Sequence, residues 1–247
     1  MIKMLNRVPE VTGTFWIIKV LATTVGETAA DYLSTTLNLG LSGTSYIMSG
    51  VLAIALFNQF RLKHYVPASY WIVVVLMSIT GTLITDRLID DFGISLITTT
   101  IAFSIILVAI FATWYFNEKT LAMHSINTVK RELFYWAAIL FTFALGTATG
   151  DLIAEKLQLG YALSTLVFGV LIALVAISYY YFRMNAILAF WIAYIWTRPL
   201  GASAGDLLSQ PLANGGCGWG TVGTSMLFLS VILSLVIYIS LNHRRFA

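Results

Sequence analysis

The chain has 247 residues, of which 59% are hydrophobic and 10% charged, with a net charge of +3. Its mean hydropathy is +0.86. That composition cannot cover the surface of a soluble domain of this size, which excludes soluble enzymes and nucleic-acid-binding modules and leaves a polytopic membrane protein.

Eight apolar segments follow in chain order, at 13–35, 43–60, 68–89, 94–116, 132–155, 161–182, 187–209 and 221–241. Each is long enough for a helix to cross a hydrocarbon core of about 30 Å, and none alternates in the manner of a barrel strand. No apolar leader precedes the first segment, so no cleaved signal peptide is expected and the first span is expected to direct insertion. Basic residues concentrate in alternate connections: Lys3 and Arg7, Arg61 and Lys63, Lys119, Lys130 and Arg131, Arg183, then Arg244 and Arg245. The opposite loops hold only Arg87 and Lys156, beside Asp90, Asp91 and Glu155. The positive-inside rule therefore predicts that both termini face the cytoplasm. Cys217 is the only cysteine, which excludes an intrachain disulfide and a thiolate metal cluster.

The odd-numbered segments repeat one another. Each opens on an aromatic–Trp pair: Phe15-Trp16, Tyr70-Trp71, Tyr135-Trp136 and Phe190-Trp191. Ten residues after each tryptophan stands a glycine (Gly26, Gly81, Gly146, Gly201), and five further on an aspartate (Asp31, Asp86, Asp151, Asp206). The copies are separated by 55, 65 and 55 residues, so the halves repeat at 120. The expected fold is all-α: one transmembrane domain of eight helices, built as four tandem two-helix repeats at about 13–60, 68–116, 132–182 and 187–241 and pseudo-symmetric about the membrane normal.

The aromatic–Trp start and the Gly-x4-Asp spacing resemble a bacterial family of integral membrane proteins of unknown function, built from four tandem two-helix repeats with a characteristic tryptophan in each. The resemblance covers nearly the whole chain. It implies this architecture and a bacterial inner-membrane location, and it implies no activity.

With each tryptophan at an interfacial aromatic belt, the helical rise places the repeat glycine about 15 Å deep and the aspartate about 22 Å deep. All four aspartates then share one level in the outer half of the bilayer. Their neighbours are small or hydroxylic, as in "LGTATGD" and "LGASAGD", which predicts that they face the bundle interior. The even-numbered helices carry early hydroxyl pairs, Thr44-Ser45, Thr98-Thr99, Ser164-Thr165 and Thr224-Ser225, expected near the same level. Such an oxygen environment suits hard cations. The structural alternative is that each aspartate bonds a neighbouring helix end or simply meets interfacial water.

The repeats also differ. Glu27 follows the first glycine where the others have Thr82, Thr147 and Ala202, and it reads either as an ion ligand or proton-exchanging group, or as a buried acid bonded to a threonine. One turn beyond the aspartates stand Thr35, Asp90, Glu155 and Gln210, pairing acids in repeats two and three. Arg198, before Pro199, is expected either to pair with Glu27 or an aspartate, standing in for an absent cation, or to snorkel to the interface. Lys19 reads as a snorkelling lysine.

The function expected from these residues is secondary transport or export of a small cation, foremost a divalent metal, bound by the aspartate ring. A carrier of small organic cations, served by aromatic cation–π contacts, is the alternative, and a passive carboxylate-ringed channel a further one. No nucleophile–histidine or histidine–carboxylate constellation is present, so an enzyme is not expected. Nor are a cofactor or nucleic acid; the expected partners are the bilayer and the transported cation.

Overall fold

The computed structural model describes residues 6–246, with side chains as far as Leu241. Lys3 and the side chains of Arg244 and Arg245, which count toward the charge asymmetry, lie outside the described residues. Eight long helices account for most of the described residues: α1 Gly13–Asp31, α2 Gly40–Arg61, α3 Pro67–Asp86, α4 Leu96–Glu118, α5 Val129–Asp151, α6 Tyr161–Tyr181, α7 Ala186–Ser209 and α8 Gly220–Phe246. No strand occurs among the described residues.

Local chemistry sets the starts of these helices. Thr12, Ser95 and Thr128 accept hydrogen bonds from the backbone N–H three residues ahead, and Asn185 caps α7 by accepting from Ile187 and Leu188. Pro67 opens α3, where its missing N–H costs nothing. The aspartate marks the end of the α-helical stretch in the first three repeats. Five residues of wider π turn follow Asp31, Asp86 and Asp151. In the fourth repeat α7 continues to Ser209 and stops before Pro211.

The odd-numbered helices form a closed inner ring in which α1 packs on α3, α3 on α5, α5 on α7 and α7 on α1. The even-numbered helices surround it, and each lies chiefly against the first helix of the next repeat: α2 on α3, α4 on α5, α6 on α7 and α8 back on α1. The most apolar stretches of α3 and α5 are 56% and 61% buried, whereas those of the four outer helices are between 11% and 22% buried. The outer helices expose Ile54, Ile105, Val108, Leu166 and Leu233, an apolar girdle that only lipid covers well. Six helices are long and apolar enough to cross a membrane: α2, α3, α4, α5, α6 and α8. By length and composition these six have the character of transmembrane helices. α1 and α7 fall below that hydropathy because they carry Lys19, Glu27, Asp31, Arg198 and Asp206.

The tryptophans do not form a lipid-facing belt. Trp71, Trp136 and Trp191 are buried and Trp16 is partly so. The residue before each tryptophan meets the tryptophan of a neighbouring repeat, around the ring. Phe15 lies 5.6 Å from Trp71, Tyr70 5.4 Å from Trp136, Tyr135 6.2 Å from Trp191 and Phe190 5.6 Å from Trp16, centre to centre. The Tyr70 and Tyr135 hydroxyls are hydrogen-bonded to each other. The repeat motif therefore closes one end of the bundle with an aromatic layer, because rings offer large apolar area with edge and face contacts worth roughly 0.5–1.5 kcal/mol per pair.

A strap just ahead of α1 ties this end together. Arg7 donates to Glu132 at 2.7 Å and to the Phe60 carbonyl, while Gln59 and Trp136 donate to the same buried carboxylate. Arg7→Met is expected to cost about 1.5–3 kcal/mol, the scale of a hydrogen bond to a charged group. Thermal unfolding in detergent measures it, with Lys130→Met, at an exposed ion pair, as the near-neutral control.

Candidate functional site

The repeat glycines set how closely the inner helices approach. A Cβ on Gly26 would overlap Ser78, one on Gly81 would stand 2.7 Å from the Phe143 Cβ, one on Gly146 would overlap Arg198 and one on Gly201 would overlap Thr23. In every case the neighbour stands three residues before the next repeat's glycine. The same contact recurs four times around the axis, and only at glycine is there room for it.

That register brings the residue after each glycine to the centre. Glu27, Thr82 and Thr147 converge there, and Arg198, the fourth repeat's residue three before its glycine, reaches into them. Its Nη2 donates to Glu27 Oε2 at 2.9 Å, to Thr147 Oγ1 at 2.7 Å and to Thr82 Oγ1. Its Nη1 donates to the Thr23 carbonyl at 3.1 Å. Thr82 also donates to Glu27 at 3.3 Å. Arg198 is fully buried and Glu27 nearly so. Of the readings open for Arg198, pairing with Glu27 is the one observed, and no snorkelling occurs. Glu27 bonds both a threonine and the arginine. Sequence reasoning gave Thr82 and Thr147 no role, although both occupy the repeat position of Glu27.

The four aspartates stand one turn further along. Asp206 is buried, and Asp31, Asp86 and Asp151 are half-buried. Each follows the central position of its own repeat (Glu27, Thr82, Thr147, Ala202) by four residues. The four carboxylates make no hydrogen bond or ion pair among the described residues, and Asp31, Asp86 and Asp151 cap no helix end. The ring expected from the repeats is not a coordination sphere, however. Among the described residues no group of three or more Asp, Glu, His or Cys side chains could hold a metal ion. Asp90 and Glu155, one turn beyond, are exposed. Glu155 accepts from the Tyr161 hydroxyl at 3.2 Å.

The outer-helix hydroxyls occupy a clear register. Thr44, Thr99, Ser164 and Thr224 are buried with unpartnered hydroxyls, so Thr99 rather than Thr98 is the counterpart in repeat two, and Thr98 is exposed. Ser225 bonds Thr28 at 2.6 Å, Ser45 reaches the Leu83 carbonyl at 3.5 Å and Thr165 bonds the Tyr161 carbonyl. None of them bonds an aspartate.

Lys19 departs most from expectation. It does not snorkel but is fully buried, with Nζ 4.3 Å from the centre of the Phe143 ring and 4.2 Å from that of Tyr194. From one end of the inner helices to the other the order is then the aspartates, the Glu27–Arg198 pair with its threonines, Lys19, and the aromatic layer.

A family model described as a Repeat of Unknown Function (DUF347) matches the chain four times, over residues 14–65, 69–120, 134–185 and 189–245. No curated protein and no solved structure matches.

Proposed function

The chain belongs to this repeat family, and on that premise we propose that it is a secondary transporter of small cations that spans the bacterial inner membrane eight times with both termini in the cytoplasm. α1 and α7 stand beside α3 and α5 in one ring, which supports counting them as spans although their charged residues lower their hydropathy. The single observation that carries the reading is the occupant of the axis. The oxygens of Glu27, Thr82 and Thr147 form a cradle, and a cationic side chain, Arg198, fills it. A site that binds a tethered guanidinium binds a free cation when the arginine swings aside, and the arginine keeps the acid compensated when no cation is present.

In this reading the aspartates are the mouth of the pathway. Their carboxylates concentrate cations, divalent ones most strongly, ahead of the cradle. Arg198, Lys19 and the aromatic layer block the axis beyond, which favours a carrier over a passive channel. A carrier of small organic cations is the second reading, favoured by a groove of about 540 Å³ between α1, α6 and α7 that Trp16, Phe190, Tyr179 and Tyr180 line.

The test is flux of manganese, magnesium, sodium and tetramethylammonium into proteoliposomes. Wild type is expected to move at least one metal cation. The quadruple Asp31, Asp86, Asp151 and Asp206→Asn variant is expected to lose on the order of 10-fold or more of that rate, the scale of electrostatic focusing in a charged cleft. Equal flux through both proteins overturns the role of the ring, and movement of tetramethylammonium alone selects the second reading.

A further inference from the structure

Lys19 Nζ makes no hydrogen bond or ion pair among the described residues, and no solvent reaches it. The side chain leaves α1 and lodges between Phe143 on α5 and Tyr194 on α7. In the ring of inner helices α1 adjoins α3 and α7, so reaching α5 takes Lys19 across the axis. Beneath it lies the aromatic layer, which has to part before anything can leave the centre by the tryptophan end.

The groups that face Lys19 offer an ammonium little. From α7 comes Arg198, whose guanidinium carbon is 5.9 Å from the same Phe143 ring centre, together with the Tyr194 hydroxyl, buried and unpartnered. From α3 and α5 come the Tyr70 and Tyr135 hydroxyls of the aromatic layer, already bonded to each other. Glu27 stands two turns along α1 and is taken by Arg198. Tyr238, the only ionisable residue among the described side chains of α8, is exposed. Two ring faces attract a cation, but they supply no acceptors for three N–H donors, and a second positive charge already sits against one of the rings.

We propose that Lys19 is a proton-linked latch on the tryptophan end of the bundle. The uncharged amine packs between the two rings and holds the aromatic layer closed. A proton taken up at Nζ demands water that this pocket cannot admit while Phe143 and Tyr194 remain together, so protonation drives them apart. The proton comes from water at that end and returns there on closing, and only the N–H bond is made and broken. The use of such a latch rests on the carrier reading, where it would tie release of the cation to proton exchange.

The sign follows from linkage: the open form binds one more proton than the closed form, so opening is favoured as pH falls, by up to about tenfold per pH unit. Ala138, fully buried on α5 two residues beyond Trp136, is the reporter position. The protein carries Cys217→Ser and Ala138→Cys in nanodiscs and is labelled with a membrane-impermeant maleimide. Rates are normalised to labelling of the exposed Cys217 in wild type, which removes the pH dependence of the thiol itself. The normalised rate is expected to rise as pH falls, to become low and flat in Lys19→Met, and to become high and flat in Lys19→Arg. Lys19→Gln replaces the methionine variant if that protein fails to fold. A rise in Lys19→Met or Lys19→Gln equal to that of the parent overturns the latch. Labelling that follows pH in a protein that moves no cation would remove the carrier and leave the latch. Cation flux with a flat labelling profile would do the reverse.

Discussion

Arg198→Gln is expected to be the most destabilising single substitution on the axis, and adding Glu27→Gln is expected to recover most of the loss. Removing the guanidinium leaves the Glu27 carboxylate buried with only the Thr82 hydroxyl, and an uncompensated buried charge costs about 3–5 kcal/mol. Glu27→Gln alone strands the arginine instead. The double variant strands neither, so its loss in thermal stability should fall well short of the two single losses combined, a coupling that a double-mutant cycle in detergent reads directly. Simple additivity would mean that the pair does not act as a unit. The proposed function adds a second expectation for the same proteins. With Arg198→Gln the cradle is vacant, so the cation that is carried should raise the melting temperature of this variant more than that of wild type.

Glycine-to-alanine substitutions are expected to act with opposite signs in the two layers of the bundle. At Gly81 the new Cβ would lie 2.7 Å from the Phe143 Cβ and 3.1 Å from the Ala144 nitrogen, and at Gly201 it would lie 3.0 Å from the Thr24 nitrogen. Backbone cannot yield as a flexible side-chain tip does, so each change should cost about 1–3 kcal/mol or more through forced separation of two inner helices. Gly50 and Gly169, on the outer helices, have nothing within 4 Å. Alanine there meets no obstacle and should stabilise by about 0.5–1 kcal/mol by restricting the unfolded chain. Melting temperatures of the four single variants decide the matter, and a common sign would refute a glycine-set inner ring.

The repeat was legible because it is a pattern of identical offsets, and offsets survive without any knowledge of packing. Trp16, Gly26 and Asp31 and their counterparts were found that way, and the inner ring follows from them. Side-chain direction was not legible. A tryptophan ten residues before a midplane glycine fits a lipid belt and an internal aromatic layer equally well, and only the neighbouring helix decides between them. Lys19 illustrates the same point. Its position near the helix start suggested an interface, yet α1 directs it inward against Phe143, a residue 124 positions away. The Glu27–Arg198 pair was half legible: both departures from the repeat stood out, but which partner each would take depended on the closure of α7 on α1. That the four carboxylates form no metal-binding group among the described residues depends on helix spacing, which no sequence offset encodes.

The forward stagger of the helices has a consequence for biogenesis. Because α2 rests on α3, α4 on α5 and α6 on α7, each hairpin emerging from the ribosome finds its packing surface on the next one made. α1 alone must wait for the last helix, since α8 closes on it. Two repeats by themselves would end in the same two unmatched edges as the whole chain has before closure. Closure of the ring therefore needs all four repeats in place.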